Sequence, residues 1–249
     1  MTVNKLVEST LKRVLEGLKL KSCRWGNLKL MSIFAPKLHT LHIFENDTQE
    51  SDLGSPSDFC RVTIVADRLK KFYYIDQAAL RMLHLLMELS NVEKLTLCSY
   101  TIEDLIYVAG QLPHLPMFNN LMDLIIDEDV CLDCPFLVTI LQKAPCLRTL
   151  NFSGGVTLLF DLIWDPVPPC FLSHLKWIKL SYYEEENEEE LSAVKFLLKN
   201  AIVLEEIIIT TREYPEMSLG AVAYHLWKQR NDLHGNTLKT EEAIVGRIR

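Results

Sequence analysis

One short apolar phrase, L-x-x-L-x-L in its simplest form, recurs eight times, and no other feature constrains the fold of this chain as much. The phrase starts at Leu15, Leu38, Leu69, Val92, Leu121, Leu147, Leu175 and Leu204. Its middle positions are Leu18, Leu41, Phe72, Leu95, Leu124, Leu150, Ile178 and Ile207, and its last positions are Leu20, Ile43, Tyr74, Leu97, Ile126, Phe152, Leu180 and Ile209. A single copy carries little weight in a chain that is 49% apolar. The regular return is the informative part. Successive starts lie 23, 31, 23, 29, 26, 28 and 29 residues apart. Such an interval holds one strand and one return segment, and a unit of that size buries its apolar face only against its neighbours. The spacing predicts an α/β fold: a leucine-rich-repeat solenoid of about eight irregular strand–helix units with a parallel sheet, plus a helical tail.

Within each unit the alternating end of the phrase reads as a strand with its apolar residues inward. Several return segments read as helices. Asp76 is placed to cap QAALRMLHLLMELS. Ile102, Leu105, Ile106, Ala109 and Leu112 form one helical stripe, Phe136, Leu137, Ile140, Leu141 and Ala144 a second, and Leu191, Val194, Leu197, Leu198 and Ala201 a third. Three residues after each last apolar position, a regular horseshoe carries asparagine or cysteine. Here only Cys23 and Asn46 fit, with Gln77, Tyr100, Asp129, Gly155, Tyr183 and Arg212 at the others. An asparagine ladder is therefore not expected, and irregular turns are. Residues 48–66 read as a long loop.

Residues between the inward positions face the other way, toward the concave side of a solenoid. They include Lys19, Thr40, His42, Tyr73, Thr96, Ile125, Asn151, Trp177, Lys179 and Ile208. Among these, Lys19, His42, Tyr73, Thr96, Asn151, Trp177 and Lys179 are the candidate partner-binding residues. Trp177 and Tyr73 are aromatic anchors of the kind that dominate interfaces. Covering a neighbouring strand or loop is an equally good use for Trp177.

Net charge is −7, which gives no electrostatic reason to expect nucleic acid or a membrane surface. No apolar run approaches the roughly 20 residues of a membrane span. The start, MTVNKLVESTLKRVLEG, is amphipathic and charged early, unlike a signal peptide. Seven cysteines, an odd number, are scattered through apolar segments, which fits reduced thiols in the cytoplasm or nucleus. Cys131-Leu132-Asp133-Cys134 lacks the second ligand pair of a zinc site and reads as a structural turn. The histidines are dispersed, and Ser153-Gly154-Gly155 is followed by no Gly-Lys-Ser/Thr. The acidic run Glu184-Glu185-Glu186-Asn187-Glu188-Glu189-Glu190 reads as a solvated helix start, where carboxylates favour the macrodipole. No nucleophile–base spacing stands out. The expectation is a non-enzyme without cofactor or metal.

Two stretches carry a family resemblance. VLEGLKLKSCRWGNLKLMSIFAPKLHTLHI, Val14 to Ile43, resembles the leucine-rich region of plant F-box/FBD/LRR-repeat proteins. Val167 to Ile209 is similar to their FBD domain. The likeness rests on Pro168-Pro169-Cys170, a strand from Leu175 to Leu180, acids from Glu184 to Glu190, a helix closing on Leu197 to Ala201, and a strand from Leu204 to Ile209. In that family an F-box precedes the repeats and docks the Skp-type adaptor of a cullin ubiquitin ligase. MTVNKLVESTLKRV does not resemble an F-box, so adaptor docking is not expected. After Thr211 the pattern changes. Tyr224-His225-Leu226-Trp227-Lys228-Gln229-Arg230-Asn231 resembles a plant retroelement segment found upstream of RNase H-like domains. The expected layout is a lead-in over 1–14, repeats over 15–166, an FBD-like strand–helix–strand unit over 167–211, and the tail over 212–249. The resemblance implies a truncated, non-catalytic recognition module that holds an unknown protein target on its concave face. The alternatives are a degenerate fusion product with no selected function and, if an F-box lies upstream, a ubiquitin-ligase component.

Overall fold

The computed structural model describes residues 15–21, 30–44, 61–75, 79–98, 102, 110, 112–127, 129–159, 163–183 and 187–211. The expected lead-in over 1–14 and tail over 212–249 lie outside them, as do Asp76 and most of the stripe from Ile102 to Leu112. Among the described residues the elements run β1 (Gly17–Lys21), β2 (Leu30–Phe34), β3 (Thr40–Phe44), β4 (Arg61–Val65), β5 (Lys71–Ile75), α1 (Ala79–Met87), β6 (Lys94–Cys98), β7 (Asp123–Asp127), β8 (Val130–Cys131), α2 (Pro135–Lys143), β9 (Thr149–Phe152), β10 (Val156–Thr157), α3 (Pro169–Ser173), β11 (Trp177–Tyr183), α4 (Glu188–Asn200) and β12 (Glu206–Thr211). The chain is α/β. Its main sheet has eight strands in the order β1-β3-β5-β6-β7-β9-β11-β12, every pair parallel.

Each of these eight strands falls on one copy of the apolar phrase, and register aligns the copies. The middle positions form one cross-strand row from Leu18 through Leu41, Phe72, Leu95, Leu124, Leu150 and Ile178 to Ile207. The last positions form a second row from Leu20 to Ile209. Between β3 and β11 both rows are buried, in one core cluster with Phe136, Leu137, Ile140 and Leu141 of α2 and Val194, Leu197 and Leu198 of α4. Leu18, Leu20 and Ile207, on the outermost strands, are only partly buried. Among the described residues, units there have a neighbour on one side.

The units are joined by a repeated backbone device. One carbonyl just before a strand accepts two consecutive N–H groups from the start of the next strand. Glu16 accepts from His39 and Thr40 at 2.8 and 3.1 Å, and His39 accepts from Lys70 and Lys71 at 3.0 and 2.9 Å. Lys70, Glu93, Met122, Arg148 and Lys176 repeat the arrangement through to Glu205 and Glu206. A second recurrence was not expected from the sequence. In most units the first apolar residue of the phrase donates its N–H to a carbonyl three residues upstream: Leu38 to Ala35, Leu69 to Ala66, Val92 to Leu89, Leu121 to Phe118, Leu147 to Ala144 and Leu204 to Ala201. Ala35, Leu89, Phe118, Ala144 and Ala201 are buried. Most return segments thus end in a tight turn, usually pinned by a buried apolar side chain.

Three expectations need correction. The stretch 48–66 is not all loop, since β4 occupies its end and pairs in parallel with β2. Arg-Val-Thr-Ile-Val alternates like a strand, and Ile64 is buried against the core. A second small pair, β8 with β10, interrupts the turns after β7 and β9. The ladder position is not idle either. The Gly155 N–H donates to the Asp129 carboxylate at 2.5 Å, so one acidic side chain makes a rung where asparagine was looked for. A Cβ on Gly155 would sit 3.0 Å from that oxygen, so the rung also needs a glycine. Finally, the acidic run is not uniformly solvated. Glu188 and Glu189 are exposed, but Glu190 is buried beside Gly155, with 6% of its surface exposed. The expected helix does start at Glu188, capped by Asn187, whose side-chain oxygen accepts the N–H groups of Glu189 and Glu190 at 3.0 and 3.3 Å.

Candidate functional site

The face of the main sheet opposite the core is defined by strand alternation. Its central row runs Lys19, His42, Tyr73, Thr96, Ile125, Asn151, Lys179, Ile208, one residue per strand in unbroken register. Six of the seven candidate residues lie in that row. The seventh, Trp177, lies in the adjacent row between Thr149 and Glu206, two residues from Lys179 on the same strand. Neighbouring residues of a row are about 4.8 Å apart, so the row spans roughly 34 Å. Lys19, Trp177, Lys179 and Ile208 are exposed, His42, Tyr73, Ile125 and Asn151 are half-buried, and Thr96 is buried.

At one end the row is aromatic. The His42 and Tyr73 rings stack at 4.1 Å with planes 9° apart. Phe44 lies 5.7 Å from His42, and the Lys19 and Lys21 ammoniums sit 5.2 and 5.9 Å from its centroid. Burial holds the His42 imidazole below its ordinary value, and the Lys19 charge pushes it the same way. At the other end Trp177 is 38% exposed, with the Lys176 ammonium 6.0 Å from its ring. In the middle, the Thr96 hydroxyl and the Asn151 carbonyl oxygen are buried without a hydrogen-bond partner among the described residues. Along one end of the strands two ion pairs, Lys70–Glu93 at 2.7 Å and Lys176–Glu205 at 2.5 Å, bridge neighbouring units. Being exposed, each contributes about 0–1 kcal/mol.

The sequence reading named the central row and, from the adjacent row, Thr40 and Trp177, but missed Phe44, Lys71, Lys94, Asp123, Thr149 and Glu206, which share the face. The signal was present: each of these lies an even number of residues from a central-row position on its own strand.

The cysteine pair has a structural role in the turn from β8 into α2. The Cys134 N–H donates to the Cys131 carbonyl at 3.1 Å, and Pro135 opens the helix. Burial raises the Cys134 thiol above its ordinary value.

The segment from Trp164 onward closes the sheet. Trp164 is packed edge-on against Phe171 and Phe196, with centroids 4.9 and 4.7 Å away. Pro168 and Pro169 start α3, and Cys170 behind them is fully buried, its sulfur 3.8 Å from the Leu141 carbonyl. Desolvation pushes that thiol up to about 12, so it serves as a packing group. Strand β11, helix α4 and strand β12 complete one parallel unit. The family model that describes the FBD domain matches residues 164–209.

The chain carries an FBD domain and is related to the plant F-box/FBD/LRR-repeat proteins.

Relatives extend the match well beyond the FBD domain. An F-box/FBD/LRR-repeat protein of Arabidopsis thaliana is 27% identical over 224 residues, covering 80% of this chain and 50% of that protein. F-box/LRR-repeat protein 13 of the same plant is 26% identical over 186 residues, covering 72% of this chain and 41% of its own length. The chain thus spans about half the length, or less, of the curated relatives it matches. No solved structure matches it. No helix among the described residues is long and apolar enough to cross a membrane.

Proposed function

We propose that the chain is a non-catalytic protein-interaction module, a leucine-rich solenoid that holds a protein target on the concave, open face of its sheet. One observation carries the reading: an unbroken row of side chains, exposed or half-buried except at Thr96, runs from Lys19 to Ile208 across all eight strands. Its supports are the aromatic groups at both ends, the His42–Tyr73 stack and the exposed Trp177. The rigid core behind the row fixes the spacing of its side chains, so little ordering entropy is spent on contact. The relatives are named F-box proteins. Within such a protein this region would be the part that selects the target of a ubiquitin ligase, while adaptor docking would belong to the F-box.

The test is a recovery experiment from plant extract with the chain as bait. Trp177→Ala and Lys179→Glu, both on exposed face positions, are expected to lower recovery of the target about tenfold, the effect of one interface hot spot. Ile202→Glu, on an exposed residue just after α4, should leave recovery unchanged. Recovery that survives both face variants and disappears with Ile202→Glu would refute the assignment of the face.

A further inference from the structure

The open face is divided by charge. On β1, β3, β5 and β6 its residues include four lysines, Lys19, Lys21, Lys71 and Lys94, and no carboxylate. On β7, β9, β11 and β12 they include Asp123, Asp127 and Glu206 against Lys179 alone. A basic half is notable on a chain of net charge −7. Lys71 and Lys94 are register partners on adjacent strands, an arrangement that is unfavourable for like charges. Among the described residues neither is paired with a carboxylate. Their neighbour Lys70, outside the face, is paired with Glu93 at 2.7 Å. The lysine beside the face is thereby neutralised, whereas among the described residues Lys71 and Lys94 make no ion pair, Lys94 having Asp123 as its register partner on the other side.

Between the lysines lies the aromatic shelf of His42, Tyr73 and Phe44. Lys19 and Lys21 flank it on β1, and Lys94 flanks it on β6. From β1 to β6 is three strand spacings, roughly 14 Å. An extended peptide presents every second side chain on one side, about 6.7 Å apart, so its positions i and i+4 are about 13 Å apart. A segment with carboxylates at i and i+4 and an apolar side chain at i+2 matches these dimensions.

Resting on the open-face reading above, we propose that the β1–β6 half binds an extended acidic peptide segment of the target protein. Its two outer carboxylates meet Lys19 on one side and Lys71 or Lys94 on the other. The side chain between them lies on the His42–Tyr73 stack. The strands on the far side of Lys94 carry Asp123 and Asp127, so a longer polyanion crossing the whole sheet is repelled there. This favours a short acidic peptide over nucleic acid.

The experiment measures binding of the intact chain to three fluorescent probes by anisotropy, at low and high salt. The first is a short peptide with glutamate, tyrosine and glutamate at alternate positions. The second replaces glutamate by lysine, and the third is a single-stranded oligonucleotide of equal charge. The acidic peptide is expected to bind, to weaken with salt, and to lose about tenfold in affinity in Lys71→Glu/Lys94→Glu, with Ile202→Gln unchanged. The same loss in Lys19→Glu, with circular dichroism unaltered, separates lost contacts from lost fold. Equal binding of the lysine peptide, or charge reversal without effect, overturns the proposal. Tighter binding of the oligonucleotide overturns it in favour of nucleic acid. Target recovery that depends on Trp177 and Lys179 while the acidic peptide fails would leave the open-face reading standing and remove only this one.

Discussion

Replacing Trp164 by phenylalanine is expected to cost far less than truncating it to alanine, because the indole has both a large contribution and a defect. Trp164 is 5% exposed and lies edge-on to Phe171 and Phe196. A buried tryptophan covers about 150–250 Å², which at about 25 cal/mol per Å² amounts to about 4–6 kcal/mol. Trp164→Ala keeps only a methyl group and leaves a cavity, so a loss of about 3–5 kcal/mol is expected. Trp164→Phe keeps a six-membered ring for both edge contacts. It gives up about 50 Å², a little over 1 kcal/mol. It also removes the indole Nε1, which is buried with no acceptor among the described residues. An unpaired buried N–H costs about 1–3 kcal/mol. The two effects offset, and the net change for Trp164→Phe is expected within about 1 kcal/mol of zero. Urea unfolding followed by far-UV circular dichroism reads both variants, provided the slope with denaturant is unchanged. A phenylalanine variant as unstable as the alanine one would show that the N–H is satisfied in solution and that the reasoning fails.

Asp129→Ala should destabilise the chain by about 1–3 kcal/mol, since the Gly155 N–H loses its acceptor. Asp129→Asn should cost less than half of that, because an amide oxygen still accepts. Amide exchange at Gly155 is the direct check, and equal protection in the parent and Asp129→Ala would remove the rung. His42 should titrate below 6.5, its ordinary value, and Lys19→Met should raise its pKa only in part, because burial is the larger cause. As pH falls through 6.5 the unfolded chain takes up the proton first, so this group lowers stability on acidification until pH passes the folded value. The imidazole proton shift against pH reads the parent and the variant, and a His42 pKa indifferent to Lys19→Met would contradict the Coulombic contribution.

The eight strands of the main sheet could be read in advance because each unit repeats one phase of burial: first, middle and last apolar positions at fixed offsets. Helices α2 and α4 were equally plain, since Phe136, Leu137, Ile140 and Leu141, and Val194, Leu197 and Leu198, each form a buried stripe. β2 and β4 escaped because they pair only with each other, outside the repeating phase. The burial of Glu190 was invisible for a different reason. Glu190 packs beside Gly155, 35 residues earlier in the chain, and helix-start chemistry alone argues for exposure. On the face itself, alternation identified the central row with Thr40 and Trp177 beside it, but the division between basic and acidic halves lies mostly in flanking positions such as Lys71, Lys94, Asp123 and Glu206. The Lys71–Lys94 juxtaposition needs the register of β5 against β6, which spacing alone leaves open by a residue or two.

The join between units is made by seven carbonyls, those of Glu16, His39, Lys70, Glu93, Met122, Arg148 and Lys176. The residues differ in charge, size and polarity, because this repeated join uses their main chains, whatever ion pairs Lys70, Glu93 and Lys176 add beside it. A seam of this kind is indifferent to what is sewn on either side of it. A whole unit can be duplicated or dropped in frame, and the flanking units meet each other through the same two N–H groups and one oxygen. The width of the sheet can therefore change in steps of one strand while the chemistry of each retained strand stays as it was. Reach and selectivity become separate heritable traits, one set by how many units the gene holds and the other by the few side chains each unit shows.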